Sequence, residues 1–132
     1  MTEVVLDASV VLKWFRARGE ANVSAARALR VDYEAGTLTV LAPSLLRLEL
    51  INVAARRWQL AERRLLELAQ AVGDLGFQLV EPPLESVARW SARGLTAYDA
   101  AYVAVAEATG APLVTDDELI LSVASGLARP LA

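Results

Sequence analysis

The feature that most constrains this chain is an apolar run that stops abruptly at an acid, Val4-Val5-Leu6-Asp7. A short, uninterrupted apolar run bounded by a polar residue suits a strand buried on both faces, and such strands belong to parallel sheets covered by helices. Residues 8–15 follow directly and are long enough for two helical turns. Asp7 is therefore expected at a strand-to-helix switch on the carboxyl edge of the sheet, where open α/β folds place their ligands.

Strands and helices then alternate to the end of the chain. Apolar spacing predicts helices over residues 20–34, 45–58, 61–74, 84–94, 98–109 and 117–125. Short apolar runs predict strands at 38–41, 77–80 and 112–115, and a last edge strand at 127–131. This order implies an α/β fold in one domain, residues 1–132, with a parallel sheet of four to five short strands and helices on both faces. The helical hairpin at 45–74 carries Trp58, Leu60, Leu65 and Leu66, more apolar surface than one side of a two-helix layer needs. The excess is either core or the seat of a second subunit or a partner helix. Trp14 and Trp90 are expected to be packing residues.

Composition narrows the chemistry. Neither cysteine nor histidine occurs, which removes disulfides, thiolate and imidazole metal ligands, the Ser-His-Asp triad and the commonest general base. Carboxylates, hydroxyls, the arginines and a lone lysine, Lys13, are what remains. The longest apolar runs reach about half of what a membrane span requires, and Glu3 and Asp7 interrupt the N-terminus, so a cytoplasmic protein with no membrane segment is expected. The net charge of −3 argues against nucleic-acid binding by bulk electrostatics, although cations held in an acidic site would offset it. Arg56-Arg57 and Arg63-Arg64 are either a solvated helix face or a track for phosphates.

Four positions bear acids that could share one site: Asp7, Glu49, Asp99 and Asp117, with Asp116 beside the last. Each has a simpler role open to it. Asp7 could be the N-cap of the helix that follows it. Thr96-Ala97-Tyr98-Asp99 has the spacing of a capping box, and Asp116-Asp117-Glu118 could be an acidic first helical turn. Glu49 lies in 45–55, a segment with little polar face, where an acid needs a partner; Arg47, Arg56, Arg57 or Asn52 could serve. In a doubly wound sheet, however, these positions gather on one edge. Carboxylates about 4 Å apart repel by about 4 kcal/mol per pair at an effective dielectric near 20, which several pairs together could not sustain uncompensated. A divalent cation would compensate it, and an all-oxygen donor set favours Mg²⁺ or Mn²⁺. Phosphatase and receiver sites also group acids on parallel strands, but Asp7-Ala8-Ser9 lacks the second acid of the former and no lysine follows Lys13.

At Val5-Leu6-Asp7-Ala8-Ser9, Pro43 through Glu49 and Asn52, Thr96 through Tyr102, and Leu113 through Glu118, the chain resembles the four acidic motifs of PIN-domain ribonucleases, in order and over nearly its whole length. It is most similar to the VapC toxins of type II toxin-antitoxin systems, which are of like length and often have a lysine and an aromatic soon after the first motif, as Lys13 and Phe15 stand here. The resemblance implies a PIN-like α/β/α fold and a Mg²⁺- or Mn²⁺-dependent endoribonuclease. It further implies a homodimer held inactive by a cognate VapB-like antitoxin. Asp7, Glu49 and Asp99 match the family's acids directly. The fourth motif runs Thr, a variable residue, then Asp, so Asp117 is the match and Asp116 fills the variable place, leaving two acids side by side. Thr115 and Ser9 correspond to assisting hydroxyls. A PIN-like RNA- or protein-binding module with little or no catalysis is the alternative.

Overall fold

A computed structural model describes residues 2–132. Its strands are β1 (Thr2–Leu6), β2 (Leu38–Ala42), β3 (Gln78–Leu79), β4 (Leu113–Thr115) and β5 (Ala128–Pro130), all parallel, in the order β3-β2-β1-β4-β5. The apolar run that opens the chain is thus the central strand. Val4, Val5 and Leu6 are each 0% exposed, with Val4 opposite Val40 on one side and Leu6 opposite Val114 on the other. Fully burying each such side chain contributes about 1.5–3 kcal/mol, so this strand anchors the core as well as the topology.

The helices are α1 (Ala8–Phe15), α2 (Val23–Glu34), α3 (Leu45–Arg56), α4 (Glu62–Asp74), α5 (Leu84–Ala92), α6 (Ala97–Thr109) and α7 (Glu118–Val123). Parallel crossovers are right-handed. From β1 the chain steps outward through β2 to β3, then returns across the sheet to β4, so α1–α4 and α5–α7 cover opposite faces. The packing agrees: α1 touches α2 and α3, α3 touches α4, α5 touches α6, and α6 lies across β1, β2 and β4. The strand order reverses between β1 and β4. Their carboxyl ends, Asp7 and the turn at Asp116-Asp117, flank the crevice that such a reversal opens.

The expected parallel α/β architecture is observed, with boundaries that differ for local reasons. The second helix starts at Val23 rather than residue 20, because Gly19 and Asn22 take left-handed backbone. The third strand shrinks from 77–80 to Gln78–Leu79 at the sheet edge, where Phe77 turns inward instead to pack edge-on against Trp14 and Tyr33, with ring centroids 5.7 and 5.2 Å away. The last helix begins after Asp117, which caps it. Trp14 and Trp90 are buried, as expected of packing residues. Of the four apolar residues named in the α3–α4 hairpin, Trp58, Leu60 and Leu65 pack against the core and Leu66, 65% exposed, faces outward, as does Leu48 of α3.

The spacing at 98–109 predicts a helix but not its depth. Every side chain from Ala100 to Ala106 is buried. Its small residues, Ala100, Ala101, Ala104 and Ala106, let the helix lie close to the sheet on one side and to α5 on the other, as a helix apolar all round requires. Among the described residues no helix is long and apolar enough to cross a membrane.

Candidate active site

Asp7 occupies the N-cap position of α1, but its side chain makes no cap hydrogen bond. Instead it is 5% exposed and held by two hydroxyls. Ser9 donates to Oδ1 at 2.6 Å, and Thr115 donates to Oδ2. Each hydroxyl is itself aimed by the turn after β4: the backbone N–H of Asp116 donates to Ser9 Oγ at 3.1 Å, and that of Asp117 to Thr115 Oγ1 at 3.0 Å. A hydroxyl has one proton and two lone pairs, and with one lone pair engaged by an N–H its proton is directed at the carboxylate. Asp7 thus stands at the cap position but is held chiefly by hydroxyls, one oxygen by Ser9 of α1 and the other by Thr115 of β4.

Glu49 projects from the middle of α3, half-buried, and accepts a 2.5 Å hydrogen bond from the hydroxyl of Tyr102 on α6. Neither Asn52 nor an arginine is its partner: Arg57 pairs with Glu20, and Asn52 is exposed beside Leu45, Leu48 and Tyr98 in a cleft of about 380 Å³ that Glu49 also lines. Asp99 does take part in a capping arrangement, since Thr96 Oγ1 accepts its backbone N–H at 3.1 Å. Asp117 caps α7, with Oδ1 accepting from Ile120 N–H at 2.9 Å. For these two acids the capping role and a place in the site coexist, because a cap engages one oxygen or only the main chain.

The four acids form a circuit of neighbouring charges, in which Asp7, Glu49 and Asp99 are each raised in part by one or two of the others. Burial pushes Asp7 up to about 6 from an ordinary 3.8, against the pull of Ser9 and Thr115, with the charge of Asp117 adding to it. Glu49 is raised, first by burial and then by the charges of Asp99 and Asp7, in spite of the Tyr102 hydrogen bond. Asp99 is raised by burial and by Asp117. The Tyr102 hydroxyl, buried among the acids, is held far above its usual range by burial and by Glu49, so it stays a donor. Among the described residues none of the ion pairs includes Asp7, Glu49, Asp99 or Asp117. The basic residue beside the site, Lys13, is taken by Glu20 and Asp116.

One buried and three half-buried carboxylates that repel and take no part in an ion pair among the described residues are what a hard divalent ion relieves. The donor set suits such an ion in chemistry, all oxygen with no sulfur or imidazole, and in charge. Among the described residues no three acids form a ready-made metal cage, so the fit is of donor type and field rather than a closed ligand shell. Tyr102 is a site residue that sequence reasoning did not single out. It lies within the quoted Thr96–Tyr102 motif, but in the sequence it is one more apolar position of a buried helix; only the fold, which brings its hydroxyl on α6 to Glu49 on α3, reveals its partner.

The comparisons with known proteins bear on the same residues. The chain matches the family described as PIN domain over residues 4–126, a span that includes all four acids. Over 71 residues it is 41% identical to a protein named Exonuclease VapC9 from Pyrobaculum aerophilum; the matched stretch is 52% of this chain and 50% of that protein, so the chain spans about half the length of this curated relative. The crystal structure of PAE2754 from Pyrobaculum aerophilum superposes with a TM-score of 0.68 at 28% identity, covering 98% of this chain and 91% of that one.

Proposed function

This chain belongs to the PIN-domain family, and from that premise we propose that it is a VapC-like, Mg²⁺- or Mn²⁺-dependent endoribonuclease, the toxin of a type II toxin-antitoxin pair. The observation that supports the reading is the circuit of Asp7, Glu49, Asp99 and Asp117 at the sheet reversal, whose charges reach one another and which, among the described residues, is in no ion pair. Asp7, Glu49 and Asp99 would hold the ion, with Asp117 reaching it directly or through water. When bound, such an ion supplies a water acidic enough to attack a phosphodiester and offsets the charge gathering on the phosphoryl oxygens.

The chain's own part is orientation and exclusion. Ser9 and Thr115 keep the Asp7 carboxylate from rotating, and Tyr102 does the same for Glu49. Asp117 keeps Oδ1 on the helix cap, which leaves its other oxygen outside that bond. No histidine is present to act as base, which is consistent with water activation by a metal. RNA is the proposed substrate, and a VapB-like antitoxin and a second copy of the chain are the proposed partners. The groove beside the hairpin, about 580 Å³ and bordered by Phe15, Trp58, Leu60 and Arg64, is of a kind that receives a partner helix.

A second reading is favoured by the relative's name, which specifies an exonuclease. A circular single-stranded RNA has no ends and separates the two. Incubated with Mn²⁺, the wild-type protein is expected to linearise and fragment the circle, EDTA to stop the reaction, and Asp7→Asn to be inactive while folded. Digestion of linear but not circular RNA would establish the exonuclease. RNA binding with no Mn²⁺-dependent cleavage of either would instead make the protein a binding module.

A further inference from the structure

Lys13, the only lysine, is 4% exposed, and a buried ammonium is costly unless it is well paired. Its Nζ lies 3.1 Å from Asp116 Oδ2 and 3.3 Å from Glu20 Oε2. Both partners are gripped a second time. Asn22 Nδ2 donates to Asp116 Oδ1 at 2.9 Å, and Arg57 Nη2 lies 2.9 Å from Glu20 Oε1. The network therefore joins α1, the segment before α2, the end of α3 and the turn after β4. An ion pair of this kind is weak grounds for stability, since apolar replacements of buried pairs are often neutral or better. What it does fix is a position. The backbone N–H of Asp116 is the group that aims Ser9 at Asp7, so anchoring the Asp116 side chain sets the hydrogen bond that orients the first acid. Asp117 follows in extended backbone, where successive side chains point to opposite sides. Holding Asp116 toward Lys13 thus turns Asp117 toward Asp7 and Asp99.

We propose that Lys13 is a positioning residue for the carboxylate circuit: by clamping Asp116 it holds the turn after β4 so that Ser9 orients Asp7 and Asp117, not its neighbour, completes the set. The inference rests on the circuit being the metal-binding site. The test is Mn²⁺ affinity by calorimetry, with cleavage of RNA as a second readout. Lys13→Met and Asp116→Ala are each expected to weaken Mn²⁺ binding about tenfold or more, the size typical of groups that orient metal ligands. Because both break the same Lys13–Asp116 pair, the double variant should be no weaker than the weaker single one beyond about twofold. Asp116→Asn keeps an acceptor for Lys13 and Asn22 and should retain most of the affinity that Asp116→Ala loses. Should Lys13→Met fail to fold, Asn22→Gly, which keeps the left-handed backbone, removes the other anchor from the surface and is expected to cost about threefold.

Wild-type affinity in Lys13→Met or, if that variant is unfolded, in Asn22→Gly would overturn the proposal, as would additive losses in the double variant. Asp116→Asn as weak as Asp117→Asn would also overturn it, making Asp116 the fourth acid in its own right. Absence of Mn²⁺ binding by the wild type would instead overturn the functional reading on which the inference stands.

Discussion

Asp7 shows how a single residue can oppose stability and serve a site. Its carboxyl is pushed up to about 6 in the folded chain, against an ordinary 3.8. A raised folded value means the folded state holds the proton more tightly. The stabilisation is therefore fully present below about pH 3.8 and lost as pH rises through 6, roughly 3 kcal/mol in all. Urea denaturation in EDTA should show the protein losing stability across this window, with Glu49 and Asp99, raised for similar reasons, acting in the same direction. Glu81 and Glu107, lowered by their partners, work the other way at the surface, so the comparison must be made against Asp7→Asn. That variant should be more stable than wild type at pH 7 without metal, and its advantage should vanish near pH 4; an Asp7→Asn protein less stable at pH 7 would contradict the account. Tyr102→Phe tests the neighbouring contact. It removes the hydroxyl that holds Glu49, and is expected to cost about 1–2 kcal/mol in stability and to weaken Mn²⁺ binding. Unchanged Mn²⁺ affinity would reduce Tyr102 to a packing residue.

At the scale of elements, the carboxyl edge of the sheet is assembled from turns that face one another across the strand reversal. Thr115, fully buried at the end of β4, links two of them by donating to Asp7 and accepting from Asp117. Thr115→Val keeps the shape and removes the hydroxyl, leaving the Asp117 N–H unsatisfied and Asp7 short of a donor. A loss of about 1–3 kcal/mol is expected in denaturant titration. A variant as stable as wild type would show that the link is dispensable. Helix α6 is limited by size instead. Ala104 is completely buried, so Ala104→Leu should cost about 1–3 kcal/mol through overpacking. Legibility in the sequence follows the same division. The strands, the order of elements and the positions of Asp7, Glu49, Asp99 and Asp117 could be read, because each is written by local pattern: an apolar run, a cap spacing, an acid where an apolar face was due. Tyr102 as the partner of Glu49, the withdrawal of Asp116 to Lys13 and Asn22, and the late start of α2 could not, because each depends on which distant segment is packed alongside.

For the molecule as a whole, the carboxylate circuit is a charge imbalance that folding creates and that, on the proposed function, a bound cation would remove. An ion that binds only the folded chain stabilises it by about 2.7 kcal/mol at a hundred times its dissociation constant. Mn²⁺ should therefore raise the melting temperature at pH 7 and EDTA should reverse the rise, while Asp7→Asn, already relieved of its buried charge, should respond little. The PIN-domain membership and the fold are consistent with this behaviour but say nothing of its strength. The most direct measurement is a calorimetric Mn²⁺ titration of the metal-free protein at pH 7, repeated with Asp7→Asn, Glu49→Gln and Asp99→Asn. The account predicts saturable binding by wild type and a loss of about tenfold or more in each variant, because the three acids on three separate elements serve one ion. Wild-type affinity in any two of the variants, or no saturable binding by the wild type, would contradict it.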